Sequence, residues 1–232
     1  MRQSKYFREI AFAAMLACSA TVANGAAIQL DDSSTLGIDA TVLDGGAGDQ
    51  NVLAGAITYI GSIGTWLMNV TTGITKPLLG TDEYPVLHLD SVNATSSAGG
   101  TLDIWFSENN FVGSSGFIAS IVSALGGITG GTVTITTYLD SSNALFGTGT
   151  TLDTLGFTGG AGSSVNGTYV DLLDAPYSLT VRATITHAES TASSFNAELK
   201  VPEPGTLSLI GAMLVAAGFV GRRRQTAMIR AA

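Results

Sequence analysis

The chain is 232 residues long, 45% hydrophobic and only 12% charged, with 29 glycines and a net charge of −8. Its bases cluster at the ends, as Arg2, Lys5 and Arg8 and as Arg222, Arg223, Arg224 and Arg230. The 175 residues Ala26–Lys200 hold only Lys76, Arg182 and Lys200 against 16 acids, a net charge of −13, and a surface this acidic repels phosphate and excludes nucleic acid as a partner.

Residues 1–25 follow the plan of a secretory signal peptide: basic Met1–Glu9, apolar Ile10–Ala17, then small residues from Thr21 to Ala26. The apolar run is too short to span a bilayer. Cleavage after Gly25 would put Ala23 and Gly25 at the −3 and −1 positions. Cys18 is the only cysteine, and Met15-Leu16-Ala17-Cys18 lacks the leucine expected three residues before a lipidated cysteine. Removing the leader leaves no thiol, so stability has to come from packing rather than disulfides.

Residues 26–200 read as one all-β domain. Strand candidates appear in order at Thr35–Leu43, Ala54–Ile63, Thr65–Val70 and Pro85–Val92. Strict alternation then turns Leu102, Ile104 and Phe106 to one face. Phe117, Ile118, Ile121, Val122 and Leu125 recur at helical spacing, with Ser114 or Ser115 to cap the start and Gly126-Gly127 to stop it. This spacing predicts a short helix over about 116–125 that plugs one end of the fold. Alternation returns at Thr132–Tyr138, with Val133 and Ile135 inward, and at Tyr177–Ile185, with Leu179, Val181 and Ile185 inward; Ser194–Lys200 closes the series. Turn signals fall at Asp44–Gly48, Ser96–Gly100, Ser141–Asn143 and Gly159–Gly167. About ten short strands at such spacing predict an antiparallel β-sandwich of jelly-roll type.

Residues 201–224 are the most distinctive part of the chain. Val201-Pro202-Glu203-Pro204 precedes the apolar run 207–221 and the cluster Arg222, Arg223 and Arg224; a tail, 225–232, follows. Two prolines separated by a single residue force an extended backbone between the domain and the apolar run. At 1.5 Å per residue the run spans roughly 23 Å as a helix, short for a bilayer core of about 30 Å. The order of motif, apolar helix and arginines resembles the PEP-CTERM sorting signal of exported bacterial proteins. The resemblance implies a transient single-helix membrane anchor, recognition by an exosortase-type membrane enzyme, processing near the Pro-Glu-Pro, and a role alongside exopolysaccharide. The bases at both ends would stay cytoplasmic and place everything between them outside.

Within the domain, the chemistry of catalysis is sparse. There is no Gly-x-Ser-x-Gly elbow, no His-Glu-x-x-His and no phosphate loop. His88 and His187 read as strand histidines, and His88-x-Asp90 is a weak metal pair. Asp31, Asp32, Asp39, Asp44 and Asp49 offer calcium-type oxygen ligands but read as solvated turn acids. No metal, cofactor or catalytic residue is therefore assigned. Alternation that buries Ile104 and Phe106 sends Trp105 to the opposite face, making it a candidate glycan contact, while Trp66 is ambiguous and core packing is the commoner role for both. The expected molecule is a non-enzymatic, exosortase-sorted surface or matrix protein whose Lys200 lies in an open hinge before the Pro-Glu-Pro. A carbohydrate-binding module is the alternative. A hydrolase would need two acids roughly 5–9 Å apart in a cleft.

Overall fold

The computed structural model describes residues 25–34, 36–113, 118–171 and 176–202. Residues 1–24 of the predicted leader, the apolar run 207–221, Glu203, Pro204 and Arg222–Arg224 lie outside them. The described residues form ten strands and no helix: β1 (Ala27–Asp31), β2 (Ala40–Leu43), β3 (Ala56–Ile63), β4 (Trp66–Ile74), β5 (Val86–Ser96), β6 (Gly100–Phe111), β7 (Ile118–Asp140), β8 (Thr150–Asp171), β9 (Tyr177–His187) and β10 (Thr191–Lys200). No helix among the described residues is long and apolar enough to cross a membrane.

All ladders are antiparallel, in the order β2-β1-β6-β9-β7-β10-β5-β4-β3, with β8 on the other edge of β7. The register shows how one sheet makes two layers. β9 pairs with Thr132–Asp140 of β7 and β10 with Val122–Thr129, so the two run end to end along a single strand. β5 and β6 do the same on the far side, broken only at residues 97–99. Four long runs therefore bend at one level: residues 97–99, Gly130-Gly131, Gly159-Gly160 and 188–190. Gly159 and Gly160 have φ of +60° and +77°, a left-handed backbone that glycine adopts without steric cost. The bend folds one half of the sheet over the other, and the sandwich-like core fills the space between. Gly73 of β4 lies against the Phe106 ring of β6, and Trp66 meets His187 of β9 at 4.7 Å between ring centroids.

The alternating strands behave as their period demands. Leu102, Ile104, Phe106, Val133, Ile135, Leu179, Val181 and Ile185 are fully buried. Two expectations are overturned. The run predicted as a helix over 116–125 is, from Ile118 onward, the first part of β7, hydrogen-bonded to β8 on one edge and β10 on the other. Its inward residues, Ile121 and Leu125, are buried at a spacing that suits either structure. Gly159–Gly167, read as a turn, belongs to β8, whose ladder with β7 continues through it. The strand β1 carries no long alternation and was not foreseen; it is fixed by pairing with β6.

His187, expected to be a hydrogen-bonded strand residue, closes the bend. Its Nδ1 lies 2.8 Å from Ser96 Oγ, which donates to the Glu189 carbonyl at 3.2 Å. Its Nε2 lies 2.7 Å from Ser193 Oγ, itself 2.6 Å from Thr129 Oγ1. Because Ser96 spends its proton on Glu189, Nδ1 carries the imidazole hydrogen and Nε2 accepts. Burial lowers the pKa of the ring and so favours its neutral form.

Candidate functional site

The sorting motif meets the domain without a linker. The Val201 amide donates to the Pro85 carbonyl at 3.0 Å, and the Val201 side chain is buried. Pro202 has no amide hydrogen with which to extend the ladder, so the sheet stops there. Lys200, expected in an open hinge, is instead the last residue of β10. It pairs with Val86 on one side and Val122 on the other, and its ammonium meets Glu198 at 2.5 Å.

On the outer face of β6, β9 and β7, Trp105 and Tyr138 stand half-exposed with centroids 6.2 Å apart and planes 16° from parallel. Arg182 on the intervening strand sets its guanidinium 4.7 Å from the Trp105 centroid. The same group binds Asp103 through Nε at 3.2 Å and Nη2 at 2.6 Å, and Thr184 Oγ1 donates to Asp103 as well. The hydrogen bonding that Arg182 donates to Asp103 is the main cause that raises its pKa. The outcome is a rigid patch of two aromatic rings with an internally neutralised ion pair. Trp66, by contrast, is core. Tyr138 was not singled out by the sequence, because strand period alone does not say which side chains from non-neighbouring strands meet.

A cavity of about 590 Å³ opens where the ends of β2, β4 and β6 meet; Asp44, Lys76, Asp82 and Glu108 line it. Lys76 Nζ contacts Asp82 Oδ1 at 2.5 Å and the Asn110 carbonyl at 2.9 Å, and lies 4.5 Å from the Phe111 ring centroid. Asp44 Oδ2 accepts the Gly55 amide at 2.7 Å. Glu108 is buried, with an Asn109 amide at 3.1 Å on Oε1. Loss of water raises its pKa to about 7; the Lys76 ammonium opposes the rise, and Asp44 and Asp82 add to it. The signal for Glu108 was present: it continues the inward series of Leu102, Ile104 and Phe106.

Asp31, Asp32 and Asp39 bring carboxylate oxygens within 4.8 Å of one another, a donor set that suits a hard divalent cation. The same oxygens hold local turns. Asp39 accepts the Asp32 amide, Asp31 the Ser33 amide and Asp32 the Ser34 amide. Asp44 and Asp49 do not join them; Asp49 instead accepts the amides of Gly45, Asn51 and Thr58. His88 and Asp90 share the outer face of β5, as period two requires.

Residues 200–224 match the model of the PEP-CTERM protein-sorting motif. No curated protein matches. Among solved structures the chain is similar to TmCBM61 in complex with β-1,4-galactotriose, at 8% identity over 62% of this chain and 92% of that one, with a TM-score of 0.33. It is similar to the K1 cleaved adhesin domain of Lys-gingipain from Porphyromonas gingivalis W83, at 9% identity over 63% and 97%, with a TM-score of 0.32. A xylan-binding domain from CBM 22 aligns at 14% identity over 67% and 95%, with a TM-score of 0.26. Scores this low carry no argument about what the domain binds.

Proposed function

We propose that this chain, which carries a PEP-CTERM sorting motif, is a non-enzymatic surface or matrix protein. The motif marks it for export and for processing by an exosortase-type membrane enzyme from a membrane-anchored precursor. The folded domain is what processing delivers to the envelope or matrix, where it associates with exopolysaccharide. The observation that carries this reading is the motif at residues 200–224 joined directly to a closed β domain through Val201.

Replacing Pro202 and Pro204 by Ala restores two amide hydrogens and lets helix extend upstream from the apolar run. In a host with an exosortase, released protein should drop at least several-fold while membrane-bound precursor accumulates, as read by immunoblot of cell and medium fractions. Undiminished release would leave a generic anchor as the better account.

A second reading, glycan binding, rests on the parallel pair Trp105 and Tyr138. Rings on a sheet face stack on the apolar faces of sugars, and stacking losses on truncation run to about 1–2 kcal/mol, or roughly tenfold in affinity. A glycan screen on the exported protein and on Trp105→Ala should then show binding that the variant loses. Equal signals from the two proteins would remove this face from consideration.

A further inference from the structure

Among the described residues, β2, β3 and β8 are the strands with a free edge. Two of these edges are blunted: β2 has four residues, and β3 is eight residues long with an irregularity between Tyr59 and Gly61. β8 runs for 22 residues without a lysine, an arginine or a proline, and between Asp153 and Asp171 it carries no charge. Exposed edge strands are usually protected by such charges, by proline or by brevity, because their unpaired amides and carbonyls template another strand. This edge has none of those protections, in a domain whose acids protect most of its remaining surface.

Beyond the Gly159-Gly160 bend the outer face of β8 is open, while Gly162, Ser164, Thr168 and Val170 on its other face are half-buried, with Val170 packed against the core. Its outer face carries Val165, 69% exposed, and Tyr169, 76% exposed, and farther along the same face Ile128 of β7, 57% exposed, lies opposite Ala161. The sequence of this stretch complements itself. In an antiparallel pairing centred on Val165, Tyr169 falls opposite Ala161, Ser163 opposite Gly167, and Val165 opposite its own copy. On the other face Thr168 meets Gly162, and Asn166 meets Ser164. Every large side chain faces a small one except at the centre, where two valines meet. Asp171 falls opposite Gly159, which keeps the two Asp171 carboxylates about 40 Å apart at 3.4 Å per residue.

We propose that two copies of this chain associate through β8, antiparallel, about a two-fold axis at Val165. The contact is isologous and therefore closes as a dimer, with one half-sheet of each domain running on into that of its mate. Two domains of net charge −13 meet along the one long strand edge that is free of charge, so repulsion between them is least in this arrangement. The inference is independent of any glycan contact at Trp105, which lies on the outer face of the other half-sheet.

The test is the oligomeric state of exported protein purified from the producing cells. Light scattering in the micromolar range should give a dimer mass, and Val165→Lys, which sets two ammonium groups against each other, should give a monomer with unchanged melting. Val165→Cys should form a disulfide-linked dimer under mild oxidation, because residues directly opposite across an antiparallel pair lie within disulfide reach. Ser163→Cys should not cross-link to itself but should cross-link when mixed with Gly167→Cys. A monomer throughout the range, a dimer that survives Val165→Lys, or equal cross-linking of the Val165 and Ser163 variants would each overturn the proposal.

Discussion

Gly127→Ala should destabilise the domain by about 3 kcal/mol or prevent its folding, whereas Gly126→Ala, one residue away, should change stability by less than about 0.5 kcal/mol. A Cβ on Gly127 would run into the Ser194 carbonyl and would lie 2.5 Å from both Cα and Cβ of Phe195. These are mostly backbone atoms of β10, paired with Gly127 across the ladder, and they have no rotamer by which to retreat. A Cβ on Gly126 points to the outer face and meets Ser163 Cβ at 3.6 Å and the Gly162 carbonyl oxygen at 3.9 Å, both ordinary van der Waals contacts. The contrast discriminates between structures. If the pair were the stop of a helix ending near Leu125, neither alanine would meet β10, and no such asymmetry would arise. Denaturant midpoints of the two variants would decide it, and similar midpoints would return this segment to a helix.

Glu108→Gln should stabilise the protein at pH 8 by on the order of 3 kcal/mol and leave it nearly unchanged at pH 4. The folded pKa of Glu108 is raised from 4.5 to about 7 by burial. Between those values the unfolded chain has released the proton while the native chain still holds it, so stability falls as pH rises through the window. Above pH 7 the native state carries an anion in the cavity. Lys76 opposes that charge only in part, and Asp44 and Asp82 aggravate it. Glutamine fills the same volume without the charge. His187 acts in the opposite sense: its folded pKa lies below 6.5, so its contribution is intact above pH 6.5 and is lost as pH falls toward the folded value. The native protein should therefore lose stability as pH rises from 4.5 to about 7, with the His187 gain offsetting part of that fall. The variant should keep the acid limb and lose the decline on the neutral side. Thermal melts of both proteins from pH 4 to 9 measure this, and superimposable profiles would refute the buried, protonated Glu108.

Features that depend on neighbours along the chain were legible before any fold was known. Period two buried Leu102, Ile104 and Phe106, and equally Val133, Ile135, Leu179, Val181 and Ile185, because a strand's faces alternate whatever it pairs with. The same rule carried Glu108 inward. The Pro-Glu-Pro, the apolar run and the arginines form a linear signal, and the match at residues 200–224 is a match of sequence.

Tertiary structure alone decided the rest. Ile118–Leu125 has apolar residues at positions that satisfy both periods; it is a strand because β8 and β10 supply partners for its amides and carbonyls on both edges. The far half of β8 fully buries no side chain and carries no regular hydrophobic alternation, and its strand exists through the ladder with β7. The Lys200 backbone is paired on both edges and Val201 is anchored because β5 and β7 happen to flank β10. A helix makes its hydrogen bonds within itself and can announce them locally. A strand borrows its partners from distant sequence, so its place, its edges and the side chains that meet across it are settled only when the whole sheet has closed.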